Sequence, residues 1–281
     1  MRNYADVIKA YEEGRYWQYE VRKVSGSIAL YRQFDLSYTG GLPLPNYYAT
    51  TPLEMAVLNG DRGIYKGSPN TGQKYIHKIS LAQFNANLAT ANCTLYDYIA
   101  YVPFVDLDST DKQEVLSIDL PRYTDGKGLR VIAVSQGAGV ADTNLTMTYI
   151  NQDGVEKSAT TQLVAVQGSG SIITSGQTSV QTTVGSSTYM RFAQGDYGIR
   201  KITKVKCDTS VGAICALVIV KPLCHLGFLD LGVANEVDYL IDRGGLIPIH
   251  NDAYLNFCII SNSASTQTPL VHGYVQTIWE A

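Results

Sequence analysis

The chain has 281 residues, 45% of them hydrophobic and 17% charged, with a net charge of -3. That apolar content supports a packed core and excludes wholesale disorder. Residues 1–100 carry 10 basic and 8 acidic side chains and the remainder 12 and 17, so neither half is basic enough for a nucleic-acid surface. Twenty tyrosines, with abundant Ser, Thr, Asn, Gln and Gly, take the place of charge at the surface. Tyr joins a large apolar body to a polar tip, which suits a protein held against neighbours and equally suits an ordinary β-sandwich.

Residues 1–14 predict a short helix, with Asn3 as its cap, Asp6 in its first turn and Gly14 as its stop. Tyr4, Val7, Ile8 and Tyr11 share one face of it. An aromatic stretch follows, Tyr16, Trp17, Tyr19, Tyr31, Phe34 and Tyr38, and then a Gly- and Pro-rich segment at 39–46 that must be extended or turning. Thr51-Pro52-Leu53-Glu54 is a capping box with Pro at the first helical position and predicts a short helix ended by Asn59-Gly60. A second capping box at 80–83, with Leu81, Phe84 and Leu88 at helical spacing, predicts another.

From about residue 95 the apolar period becomes two. Strands are expected at 129–135, 144–150, 155–166, 199–207, 213–220, 254–260 and 271–279. Asn151-Gln152-Asp153-Gly154 is a tight hairpin turn between two of them. Residues 167–187, rich in Gly, Ser, Thr and Gln, read as a long exposed loop or weak edge strands. The expected fold is therefore mainly β. Residues 1–94 form an N-terminal extension of short helices and extended segments, and 95–281 an antiparallel, jelly-roll-like β-sandwich. Strand-and-turn wording near 121–149 echoes that near 248–274, as a duplicated β-unit or the small grammar of strands and turns would produce.

Little in the sequence carries chemistry. His77, His225, His250 and His272 have no metal-ligand spacing, and no nucleophile elbow, P-loop or dinucleotide fingerprint is present. Asp106-Leu107-Asp108-Ser109-Thr110-Asp111 resembles the start of a calcium loop, but the required Gly and closing Glu are replaced by Asp111 and Ser117. A turn whose side chains bond their own backbone is the alternative. Cys93, Cys207, Cys215, Cys224 and Cys258 are odd in number, form no CxxC and sit in apolar strand contexts, so free buried thiols and a reducing site of synthesis are expected. No apolar leader core follows Met1, and the longest apolar run, 213–220, is too short to cross a bilayer. No cofactor, metal, membrane or nucleic-acid partner is expected.

Several phrases recur together: Tyr96-Asp97-Tyr98 through Asp106, Leu120-Pro121-Arg122-Tyr123-Thr124-Asp125-Gly126, Leu145 through Gly154, Gly195-Asp196-Tyr197-Gly198, Leu217 through Leu223, and Asp252 through Phe257 closing on Gly273-Tyr274. In that order residues 95–281 resemble tailed-bacteriophage virion structural proteins of the head decoration or minor head type. The resemblance implies a non-enzymatic protein of the virion, made in the bacterial host cytoplasm. Such a protein stabilises a capsid as a homo-oligomer, through contacts with copies of itself and with the major capsid protein or another virion protein. A tail- or spike-associated carbohydrate- or receptor-binding β-sandwich is the alternative, since a fold does not settle a function. Tyr4, Tyr11, Tyr16, Trp17, Tyr47 and Tyr48 are the candidate intersubunit contacts, because aromatic side chains give contact area at low entropic cost. Residues 1–94 either dock on a neighbour as an arm or fold back to complete their own domain.

Overall fold

The computed structural model describes residues 4–24, 33–60, 62–67, 72–84, 91–137, 142–164, 168–174, 188–228, 230–261 and 270–281. The first half runs α1 (Tyr4–Glu12), β1 (Tyr16–Val24), β2 (Gln33–Asp35), β3 (Gly41–Leu42), β4 (Ala56–Val57), β5 (Lys74–Phe84), β6 (Ala91–Asp106), β7 (Gln113–Glu114) and β8 (Arg130–Ser135). The second runs β9 (Thr143–Asn151), β10 (Glu156–Leu163), β11 (Ser171–Ile172), β12 (Ile199–Cys207), β13 (Ile214–Phe228), β14 (Asn235–Asp238), α2 (Tyr239–Arg243), β15 (Ile247–Ile249), β16 (Tyr254–Ser261) and β17 (Leu270–Trp279). The protein is mainly β, and its paired strands are antiparallel, as the period-two pattern predicts.

Three sheets stack. The middle one has the order β13-β8-β11-β2-β16-β6 and closes, because β6 also pairs with β13 along its whole length. Closure removes the free edges that an open sheet would expose. One flank is an open sheet, β14-β5-β17-β1-β3, with β15 also on β5; the other is β10-β9-β12-β7. The barrel interior packs Tyr48, Tyr96, Tyr98, Tyr101, Val134, Val218 and Tyr254. Two separate apolar cores bind the flanking sheets to its outside.

The long strands serve both flanks. On β13, Cys215, Leu217 and Ile219 face the β9 sheet, whereas Cys224, Leu226 and Phe228 face the β5 sheet. The exchange falls at a register shift between Pro222 and Cys224. One extra residue on β13 there inverts the parity, so the positions facing outward change from odd to even numbers along the strand.

Three expectations are corrected. The segment 51–54 is a turn and not a helix: Leu53 has φ 58°, its N–H bonds Pro103 O at 3.2 Å, and Met55 N–H bonds Leu116 O at 3.0 Å. Its backbone groups are satisfied by neighbouring strands, which leaves a helix nothing to add. The second capping box lies inside β5, which pairs with β17 on one side and with β14 and β15 on the other. A ladder on both edges outweighs a four-residue local signal. The division at residue 94 is also absent, because β6 crosses it, β1 and β5 flank β17, and β2 pairs with β16. A five-residue helix, α2, for which no expectation was made, interrupts the β region, capped by Asp238 accepting from Leu240 and Ile241 N–H and ended by Gly244 at φ 71°. Asn3, Tyr31, Leu88 and most of 167–187 lie outside the described residues.

The strands expected at 129–135, 144–150, 199–207, 254–260 and 271–279 are present within a residue or two. The one expected at 213–220 continues to Phe228. All five cysteines are buried and free.

Candidate interaction surface

α1 lies on the outer face of the β5 sheet. Val7 and Ala10 are buried beneath it, and the Tyr11 hydroxyl sits 2.8 Å from His77 Nδ1 and donates to Gln276 Oε1 at 3.1 Å. His77 Nε2 in turn lies 3.2 Å from Asp238. Burial holds the His77 imidazole below its ordinary range, against the pull of Asp238. Gly14 at φ 70° turns the chain, and Arg15 donates to Trp279 O, which ties the start of β1 to the end of β17.

Beyond that tie β1 is open. β17 pairs with it from Tyr16 to Val24, but β3 covers its other edge only at Arg22 and Lys23. Among the described residues, 16–21 therefore present an unpaired strand edge, a ready template for another strand. Aromatic side chains flank it. Tyr16 and Trp17 are 41% and 45% exposed, and Trp17 packs edge-on against Tyr65 with ring centroids 5.4 Å apart. Tyr4 and Ile8 are exposed on the adjoining helix. Ten of the seventeen exposed large apolar side chains among the described residues precede residue 66.

The six sequence candidates divide accordingly. Tyr4, Tyr16 and Trp17 are exposed about α1 and β1, and Tyr47 is exposed elsewhere, edge-on to Tyr38. Tyr11 is half-buried and committed to His77 and Gln276. Tyr48 is corrected outright: it is fully buried in the barrel and cannot touch a neighbour.

Tyr48 belongs to a polar cluster that sequence reasoning missed. Asp35, wholly buried on β2, accepts from Ser37 N and Ser37 Oγ at 2.8 Å, from Tyr98 Oη at 2.7 Å and from Tyr48 Oη. Burial pushes its carboxyl up, while those donors pull it down. A second buried polar node joins two of the phrases noted above. Arg122 grips Asp97 through Nε at 2.9 Å and Nη2 at 2.5 Å, and bonds Leu58 O and Tyr98 O as well. Such bidentate pairs fix geometry as much as they add energy. The only forewarning was the charge of Asp35, Asp97 and Arg122 within apolar surroundings.

The Asp106–Asp111 segment is a turn bonded to its own backbone, with Asp108 N–H to Asp106 Oδ1 at 2.8 Å and Asp111 N–H to Ser109 Oγ at 3.2 Å. Among the described residues no three His, Cys, Asp or Glu side chains meet in a metal-holding group. No described helix is long and apolar enough to cross a membrane.

No protein-family model matches the sequence, and no curated protein matches it significantly. Among solved structures, one of infectious bursal disease virus Gt strain aligns over 94% of this chain and 80% of that one, at 8% identity and TM-score 0.19. A VP2 mutant protein of the same virus aligns over 94% and 77%, at 9% identity and TM-score 0.21. Its VP2 subviral particle aligns over 94% and 81%, at 8% identity and TM-score 0.20. Likenesses this loose carry no inference about role.

Proposed function

We propose that this chain is a non-enzymatic structural component of a tailed-phage virion, a capsid-associated protein of the decoration or minor head type. It stabilises the shell by protein–protein contacts with copies of itself and with the capsid protein. The observation that carries this reading is the open edge of β1, bordered by Tyr16, Trp17, Tyr65 and the exposed face of α1. Unpaired backbone beside aromatic side chains is what strand addition at a protein interface uses. The strand-and-turn phrases of residues 95–281 support the virion assignment.

The contact is not a detachable arm, since β1 and β2 are members of two sheets, so point variants test it better than truncation. A Tyr16→Ser, Trp17→Ser double variant incubated with shells lacking the protein is expected to bind at least about tenfold more weakly, in line with aromatic hot spots. Its unfolding midpoint should stay near that of the parent. Undiminished attachment of the folded variant would overturn the assignment of this edge.

A further inference from the structure

The open run of β1 fixes how another strand can pair with it. Trp279 N–H bonds Arg15 O at 3.3 Å, so the backbone of Arg15 faces β17, and the β1–β17 ladder then runs to Val24 without a register shift. In an antiparallel ladder the N–H and C=O of one residue point to one side and those of the next to the other. Odd-numbered residues of β1 therefore bond β17, while Tyr16, Gln18 and Glu20 aim their backbone groups at the open edge. Arg22 follows the same rule where β3 begins: a Cβ on Gly41 would lie 2.0 Å from its carbonyl oxygen. Tyr16, Trp17 and Gln18 are exposed in succession, on both faces of the strand, which is the mark of an edge strand. On the odd-numbered face, beside that edge, lies a cleft of about 780 Å³. Tyr19, Leu42, Leu44 and Tyr65 form its apolar wall, and the buried Lys66 and Lys74 lie at its base.

We infer that this edge pairs with the same edge of a second copy of the chain, antiparallel across a two-fold axis at Gln18. Register names the occupant. Two identical edges that form one continuous sheet are related by a two-fold axis, and only residues that aim at the seam can exchange hydrogen bonds, so the axis falls on an even-numbered residue. An axis at Glu20 would set Gln18 against Arg22, whose edge β3 already holds. An axis at Tyr16 would set Gln18 against Gly14, which lies in the turn from α1 at φ 70°. An axis at Gln18 uses the whole open run: Tyr16 meets the second copy's Glu20 and Gln18 meets its counterpart, with about six backbone hydrogen bonds in all. The side chains suit that register. Glu20, the charge in the run, faces a tyrosine and not its own counterpart, and like charges directly opposed are unfavourable. Trp17 stands opposite the second copy's Tyr19, beside the cleft, in a non-hydrogen-bonded pair where side chains approach most closely. Each copy thus offers a half-exposed indole as a knob and an apolar cleft as its hole, and one symmetry operation fills both. The inference rests on the open-edge reading above and names a second copy as what meets that edge.

Cysteine pairing on the full chain reads the register directly, because the five native cysteines are buried. Tyr16, Gln18 and Glu20 are exposed, so replacing them leaves the core intact. Gln18→Cys sets two thiols across the axis at the Cα separation of a hydrogen-bonded pair, about 5.5 Å and within disulfide range. Tyr16→Cys sets its own thiols four residues apart along the seam, about 14 Å and out of range. Under mild oxidation the expected result is a covalent dimer from Gln18→Cys, none from Tyr16→Cys or Glu20→Cys alone, and a mixed dimer when those two proteins are combined. Adding Trp17→Ser to Gln18→Cys should slow dimer formation at least about tenfold, as loss of an aromatic anchor does. No disulfide from Gln18→Cys, or equal yields from all three single variants, would overturn the inference. If Gln18→Cys stays monomeric while shell attachment still depends on Tyr16 and Trp17, the edge meets a different protein: the two-fold pairing falls and the structural role stands. If the dimer forms while shell attachment is indifferent to both residues, the pairing stands and the assignment of this edge to the shell falls.

Discussion

The two sheets flanking the barrel are built in opposite ways. In the β9 sheet, Thr143 pairs with Leu163 and Ile150 with Glu156 across one hairpin, whose Asn151 side chain accepts from Asp153 and Val155 N–H at 3.0 and 2.9 Å. In the β5 sheet, Tyr16 pairs with Ile278 and Lys74 with Trp279. The β9–β10 hairpin needs only a short loop closure; the β1–β17 ladder must bring together the two ends of the described chain. The local sheet turns a ladder of hydroxyls to solvent, Thr146 to Thr160 at 2.8 Å and Thr148 to Ser158 at 2.9 Å. The non-local one leaves residues 16–21 of β1 unpaired on one edge among the described residues, beside exposed aromatics. The sheet built from distant segments is also the one whose edge the proposed function assigns to a partner.

The comparison can be broken first at the joint between the sheets. Arg122→Met strands the buried Asp97 carboxylate and is expected to cost about 3–5 kcal/mol, read as a fall in the urea midpoint. Loss of far less would mean that the pair is not what anchors β6 between its two cores. Next, Gly273→Ala on β17 would place a Cβ 2.0 Å from Ser80 O. About 1–3 kcal/mol should be lost, and amide exchange should quicken in β1, β5 and β17 while β9 and β10 hold. Equal acceleration in both sheets would show that they open as one unit.

His77 offers a pH test confined to the non-local sheet. Its folded pKa is depressed, so the unfolded chain binds the extra proton more readily, and stability is lost as pH falls below about 6.5. His77→Gln should flatten part of that decline; an unchanged pH profile would remove the imidazole from the account. The smallest effect is expected at Thr148→Ala, which removes one cross-strand hydroxyl pair on an exposed face of the local sheet, at about 0.2–1 kcal/mol. A larger loss would mean that the hydroxyl ladder matters more than its exposure implies.

The site was less legible than the strands. The aromatic richness of residues 4–48 pointed to Tyr4, Tyr16 and Trp17, which are exposed, but it pointed equally to Tyr48, which fills the barrel. A tyrosine reads the same on an interface and in a polar core, because its hydroxyl can meet water or a buried Asp35. The burial of Lys66 and Lys74 carried no signal, since an isolated lysine in sequence is ordinarily a solvated one.

By itself the sequence determined the β class, most strands beyond residue 129, the Asn151-Gly154 turn and the first helix, because alternation, turn dipeptides and a helix stop act over a few residues. The tertiary structure decided the rest. It made strands of β5 and β1, closed the barrel through β6 and β13, buried Tyr48 against Asp35, and left one edge of β1 unpaired among the described residues. The strand pairings among those outcomes depend on which distant strand supplies a backbone partner, and hydrogen bonds between residues more than 100 apart leave no pattern in the local order of side chains.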